Sequence, residues 1–242
     1  MIATLRAEFR KLLTVRSTYF IFLIAIALMV LFEFYGLGIK ANPDELTRHA
    51  LSDNIAAGVQ NLSLLGAIVA ALMMSHEYRY NTIMYSLTAS NSRTKFLLSK
   101  IIVMSVYAAV FVALVGVFAA LLNLLGIKAG GHHLVAQTIY YNDLIWHSLL
   151  YGWGYIMAGL LFAALLRSQV GAIAALFLVP GVVEQLLELL LKKNAVYLPF
   201  HALDVVVHGG SITRQHALLV FLAYMVGGWI IAWVLFLKRD AN

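Results

Sequence analysis

The stretch His76–Lys100, HEYRYNTIMYSLTASNSRTKFLLSK, separates two long apolar runs and decides how the rest of the chain is interpreted. It is the longest polar interruption on the more basic side of the protein. Its charged and titratable side chains are His76, Glu77, Arg79, Arg93, Lys95 and Lys100. The pattern predicts a short helix or turn, a break rich in Ser and Asn, and then the start of a basic helix. A plain connection could be shorter, so we interpret the stretch as a docking element for a cytoplasmic partner.

Composition places the chain among integral membrane proteins. Hydrophobic residues make up 62% of its 242 residues, charged residues 12%, and its mean hydropathy is +0.88. Soluble domains carry roughly 25% charged residues. The chain has no cysteine, which excludes disulfides and thiolate chemistry. Its net charge of +6 is spread between apolar runs, as in membrane topology signals, so we expect no nucleic-acid binding.

The chain is predicted to be a single all-α transmembrane domain over residues 1–242. Leu5, Phe9 and Leu12 fall at helical spacing, so residues 1–17 predict an amphipathic helix lying in the membrane interface. The alternative is a charged start that only sets orientation. The residues assigned to this interfacial helix are Phe9, Arg10, Lys11 and Arg16. Apolar runs of about 20 residues, enough to cross a bilayer, predict six spans at about 19–39, 55–75, 100–126, 143–166, 169–191 and 216–237.

Charge asymmetry predicts the orientation of these spans. An even number of spans puts both termini on one side. With the termini inside, the inner segments hold eleven Lys and Arg residues, Arg239 among them, and the outer loops hold six. Cytoplasmic segments carry the excess of Lys and Arg, so both termini and the His76–Lys100 stretch are expected in the cytoplasm.

Motifs for catalysis and metal binding are missing from the sequence. No GxxxxGK[ST] pattern occurs, so the chain is not expected to bind ATP. His76-Glu77 begins like HExxH, but Tyr80 stands where the second histidine is needed. His132-His133 lie in a Gly-rich loop and are adjacent, so they would point in different directions. We therefore assign neither catalytic nor metal-binding residues.

Acidic residues inside the apolar runs are functional candidates by default. Glu33 lies about 21 Å along its helix from Tyr19, and Glu184 lies at a similar depth. Glu33, Glu184 and Glu188 are therefore grouped as acids of the outer leaflet, with either a functional or a merely interfacial role. Pro180-Gly181 just before them predicts a broken helix whose second half lies at the outer surface.

Three short segments resemble the permease subunits of ABC exporters of the type-2 membrane family. Residues 7–13 with 16–19 resemble that family's N-terminal elbow helix. Residues 77–83, EYRYNTI, resemble its acidic-aromatic-basic signature before a coupling helix, and Ser92-Arg93 with Lys100 resembles its step into span three. The departure is Asn81, where the family has Gly; Asn tolerates a positive φ better than other residues with side chains.

The resemblance implies an exporter with separate ATPase subunits. Two permeases, identical or homologous, would assemble with an ATPase dimer that binds ATP and Mg, with no cofactor in this chain. The substrate would be a hydrophobic or amphipathic peptide, drug or lipid, crossing the cytoplasmic membrane of a bacterium. The residues that the resemblance assigns to ATPase coupling are Glu77, Tyr78, Arg79, Asn81, Thr82, Ser92, Arg93 and Lys95.

Two alternatives from other classes remain open at the level of sequence. One is an intramembrane enzyme that uses Glu33, Glu184 or the loop histidines, and the other is an ion-coupled secondary transporter that uses the same acids. Glu77 and Arg79 are two positions apart, so on a helix they point about 200° apart and do not pair with each other. Each is expected to pair either with a partner subunit or with a neighbouring segment such as the N-terminal helix.

Overall fold

The computed structural model describes residues 2–42, 46–133 and 139–238. Arg239, counted above among the inner cations, lies outside these residues. The described residues form helices and their connections, without a strand. The helices are α1 (Ile2–Thr14), α2 (Arg16–Met29), α3 (Ala50–Arg79), α4 (Ile83–Ser90), α5 (Arg93–Ala129), α6 (Tyr141–Leu166), α7 (Gln169–Leu178), α8 (Glu184–Leu191), α9 (Pro199–His208) and α10 (Arg214–Lys238).

Six of the helical segments are long and apolar enough to cross a membrane, which confirms the predicted number of spans. Helix α2 continues as a π-helix over Val30–Ile39 to complete the first span. Helices α7 and α8 are joined through a π-helical stretch, Val179–Val183, and together with the 3₁₀ turn Lys192–Tyr197 they form the fifth. Each predicted span lies within one of these segments.

Helices α3, α5 and α6 form the centre of the bundle and carry most of its buried side chains. In lipid, helices associate through close packing of small residues rather than through the hydrophobic effect. Gly159 of α6 illustrates this packing, because a Cβ at that position would collide with the backbone carbonyl of Ala67 in α3. Helices α2, α7, α8 and α10 surround this centre and expose their apolar side chains on the outside.

Three sequence predictions about local structure differ from what is observed. The N-terminal helix ends at Thr14, and Arg16 already begins the first span. The predicted break at Pro180-Gly181 is wrong, because a π-helical turn absorbs the proline without interrupting the helix. The region 192–215, which connects the predicted spans 169–191 and 216–237, is not only a loop, because it contains α9, with Pro199 in the first turn of that helix.

Candidate functional site

Four charged side chains from three helices meet at the end of the bundle where α4 lies. Glu8 and Lys11 come from α1, Glu77 from the last turn of α3, and Lys100 from the start of α5. We call these four residues the ion-pair cluster. Lys100 Nζ lies 2.7 Å from Glu8 Oε2 and 2.7 Å from Glu77 Oε1. The two acids and two lysines balance in charge, so the cluster is neutral as a whole.

Lys100 is the buried centre of this cluster, with only 2% of its side chain exposed. An ammonium group has three N–H donors, and a buried charge is tolerated only when it is paired and hydrogen-bonded. Besides the two carboxylates, Lys100 Nζ donates to the backbone carbonyl of Met73 at 3.0 Å. All three donors are therefore used, which fixes α5 against α1 and α3.

Lys11 connects the cluster to the short helix α4. Its Nζ lies 2.7 Å from Glu8 Oε1 and 2.8 Å from Glu77 Oε1, and it donates to Ser86 Oγ of α4 at 3.1 Å. Burial alone lowers the pKa of Lys11, but the carboxylates of Glu77 and Glu8 outweigh this effect and raise its pKa above the usual value. Lys11 is charged at neutral pH, and it loses its charge only when the pH rises through that raised pKa.

Two left-handed asparagines set the position of α4. Asn81 has φ 53°, a left-handed conformation that asparagine tolerates, and Asn91 has φ 53° at the C-terminus of α4. A left-handed residue is a common helix terminator. Ser92 then caps α5, its hydroxyl accepting from the backbone N–H of Lys95 at 3.4 Å. The chain thus turns on both sides of α4, which packs against α5.

Large side chains on the outside of α4 and its preceding turn remain uncovered. Tyr80 is 62% exposed, Met84 53% and Tyr85 79%. We call these three residues the α4 surface. Tyr and Met are enriched at protein–protein interfaces relative to the rest of a protein surface. Thr82, at the N-terminus of α4, is also exposed.

Three of the other predicted coupling residues contact parts of the remaining spans, and a fourth is exposed. Arg79 donates to Gln169 Oε1 of α7 at 2.9 Å. Arg93 donates to the backbone carbonyls of Phe236 and Leu237 at 3.1 and 3.0 Å, where the last carbonyls of α10 need donors. Tyr78 packs under the guanidinium of Arg167, and Lys95 is exposed.

Residues predicted to form the interfacial helix occupy two environments. Arg10 and Arg16 are exposed, whereas Phe9 packs against the core. Lys11, also assigned to this interfacial helix, instead turns inward and joins the ion-pair cluster. Glu77 pairs with this N-terminal helix, which was one of the two alternatives for it.

Sequence reasoning missed the roles of Glu8 and Lys100. Both are 2% exposed and pair with each other, although 92 residues separate them. Two signals were present: Glu8 is the only acid in a basic amphipathic helix, and Lys100 stands at the start of an apolar span. An ionisable residue at such a position is expected to have a partner.

The three outer acids are placed in three different environments. Glu184 is buried and accepts from the backbone N–H groups of Phe200 and His201 at 2.9 and 2.8 Å, so it caps the start of α9. Glu188 is exposed. Glu33 is buried, with 2% of its surface exposed.

A comparison with protein families decides among the classes left open by the sequence. The chain matches the model of the ABC-2 family transporter proteins over residues 4–183, a stretch that contains the ion-pair cluster and α4. The chain belongs to the ABC-2 transporter family. It is therefore a multi-pass membrane permease of an ABC transporter, a transport subunit whose family implies an ABC ATPase as partner. A search of curated proteins found no match to this chain.

Proposed function

We propose that this chain is the transmembrane subunit of an ATP-driven exporter and that a separate ATPase docks on the α4 surface. The observation that carries the proposal is that α4 is exposed on one side and hydrogen-bonded to the bundle on the other. The exposed Tyr80, Met84 and Tyr85 of the α4 surface face away from the bundle, while Ser86 of α4 accepts a hydrogen bond from Lys11 of the ion-pair cluster beneath. A helix that is free on one side and anchored on the other can pass a movement of its partner to the spans.

The ion-pair cluster gives this movement a defined route. A shift of α4 pulls on Lys11, whose two carboxylate partners also hold Lys100 at the start of α5. Helices α1, α3 and α5 would then move together. In this proposal Glu77 acts as a positioning residue inside the permease, because it is only 4% exposed and cannot reach a partner subunit.

The remaining assignments follow from the charge count and from the family. Both termini and α4 lie in the cytoplasm, in the cytoplasmic membrane of a bacterium. The ATPase dimer binds ATP and Mg, and this chain contributes no cofactor site. Two permeases, identical or homologous, form the pathway for a hydrophobic or amphipathic peptide, drug or lipid.

The proposal is tested by purifying the tagged chain together with the ABC ATPase that binds it and reconstituting both in vesicles. Inside-out vesicles should accumulate a fluorescent amphiphile when ATP and Mg are supplied, and an ATPase variant that cannot hydrolyse ATP serves as the control. Accumulation driven by an ion gradient without ATP would instead favour a secondary transporter. Failure of any ATPase to co-purify would contradict the docking proposal.

A further inference from the structure

Glu33 is a buried acid that the coupling site does not use. It lies in the π-helical part of the first span, is 2% exposed, and its Oε2 atom has no hydrogen-bond partner among the described residues. An ionised carboxylate in hydrocarbon is costly unless a partner compensates it. A buried polar atom without a partner is rare in native structures and calls for an explanation.

Neighbouring helices are shaped around this carboxyl group. A Cβ at Gly58 of α3 would lie 2.6 Å from Glu33 Oε1, so the glycine leaves room for the carboxyl group. Asn123 of α5 is fully buried and donates to the backbone carbonyl of Glu33 at 3.4 Å. This bond supports the π-helical turn, a type of distortion that is frequent at functional sites.

A cavity of about 290 Å³ opens beside the Glu33 side chain. Its walls are mostly apolar, and besides Glu33 it is lined by Leu28, Met29, Phe32, Gly58, Asn61 and Leu62. Phe32, which lines the cavity, is 53% exposed. The cavity therefore opens to the outer surface of the bundle, between the first span and α3. Mostly apolar walls with one charged or polar group that fixes orientation are typical of small-molecule sites.

We infer that this cavity binds the ammonium group of an apolar amine through Glu33. The carboxylate accepts hydrogen bonds from the ammonium, while Leu28, Phe32 and Leu62 contact the apolar part. An anion would be repelled, and a neutral amphiphile would leave the negative charge of the carboxylate uncompensated. The inference rests on the proposed exporter function and narrows its substrate class to cationic amphiphiles; an amine-bearing lipid would present the same chemistry.

The first test measures binding to the intact chain in nanodiscs of phosphatidylglycerol, a lipid without an amine. The probes are a dansyl-labelled dodecylamine and the corresponding neutral alcohol. Glu33→Gln should weaken amine binding by roughly ten- to a hundredfold, the loss expected for a hydrogen bond to a charged group, and leave alcohol binding unchanged. Glu188→Gln, the same substitution at an exposed acid, should change neither. Equal binding of amine by Glu33→Gln and the wild type would overturn the inference.

A second measurement needs no substitution and covers the case in which Glu33→Gln does not fold. A hydrophobic carbodiimide adds to a buried carboxylic acid and, after rearrangement, leaves a stable N-acylurea that mass spectrometry locates. Labelling of Glu33 in the wild type should be suppressed by excess N,N-dimethyldodecylamine, a tertiary amine that cannot divert the reaction to an amide, and not by dodecanol. Absence of labelling at Glu33, or equal protection by both compounds, would contradict the site.

Two further arms separate the possible sources of the amine and the possible failures. Phosphatidylethanolamine added to the nanodiscs should compete with the dansyl amine if the natural occupant is a lipid, and should not if it is an exported drug or peptide. ATPase co-purification is measured on the same samples. Amine binding without ATPase assembly would contradict the proposed function but not this site. Assembly without amine binding would contradict this site but not the proposed function.

Discussion

Replacing Glu77 by glutamine is expected to lower the free energy of unfolding by about 3–5 kcal/mol, the usual effect of removing one member of a buried ion pair. The loss comes mostly from Lys100, which is 2% exposed and keeps only one carboxylate, that of Glu8, after the substitution. The second partner of Glu77, Lys11, is 38% exposed in its side chain and can recruit water. Removing Lys11 instead should therefore cost only about 1 kcal/mol, as for a solvent-screened pair.

The assay is reversible unfolding of the purified chain in mixed micelles with increasing dodecyl sulfate, for Glu77→Gln, Lys11→Met and Lys100→Met. The double variant Glu77→Gln/Lys100→Met should be less destabilised than the sum of its singles by roughly 0.5–3 kcal/mol, because the two groups are in contact. Equal costs for Glu77→Gln and Lys11→Met, or strictly additive singles, would refute the assignment of Lys100 as the buried centre.

The same reasoning applies to coupling in the assembled transporter. Glu77→Ala should reduce substrate-stimulated ATPase activity more than Lys95→Ala, because Glu77 holds the helix ends together whereas Lys95 is exposed. The amount of bound ATPase is measured in parallel. Full assembly and full transport by Glu77→Ala would show that the cluster has no part in coupling.

Three smaller perturbations test other parts of the structure. Single cysteines at Thr47 and Ser211 should react with an impermeant thiol reagent from outside intact cells and one at Ser92 should not; labelling of Ser92 from outside would overturn the orientation. Asn81→Val should lower stability by about 1–3 kcal/mol because of its φ of 53°, whereas Asn81→Gly should be tolerated; equal melting temperatures would contradict this. Gly126→Ala should also lower the melting temperature, because its Cβ would collide with a backbone carbonyl of the first span; an unchanged value would argue against that close contact.

Features that depend on local sequence could be predicted. Long apolar runs predicted the six spans because each must bury a stretch of backbone in lipid, whatever its neighbours are. The positive φ of Asn81 agrees with the expectation from the resemblance, because asparagine tolerates this conformation better than other residues with side chains. The reversal between Leu166 and Gln169 is equally local, with Arg167 at φ 52°.

Features that depend on tertiary contact could not be predicted. The pairing of Glu8 with Lys100 joins positions 92 residues apart, and neither local sequence indicates which residue its partner is. The sequence left the role of Glu184 open between functional and interfacial, and its backbone partners at Phe200 and His201 could not be predicted from it. Pro180 predicted a break because local propensity ignores the π-helical turn that the helix adopts there.

Direct cross-linking of the α4 surface to the ATPase tests the central claim most directly. The chain contains no cysteine, so Tyr85→Cys and Tyr141→Cys each carry a single thiol for a short photoreactive cross-linker. Tyr85 is 79% exposed and lies in α4, next to the N-terminus of α5. Tyr141 is 67% exposed and begins α6, which follows the C-terminus of α5, so Tyr141→Cys is a matched control. The account predicts that Tyr85→Cys forms a covalent adduct with the ATPase and that Tyr141→Cys does not. Adducts from Tyr141→Cys alone, or none from Tyr85→Cys in a complex that still contains the ATPase, would contradict it.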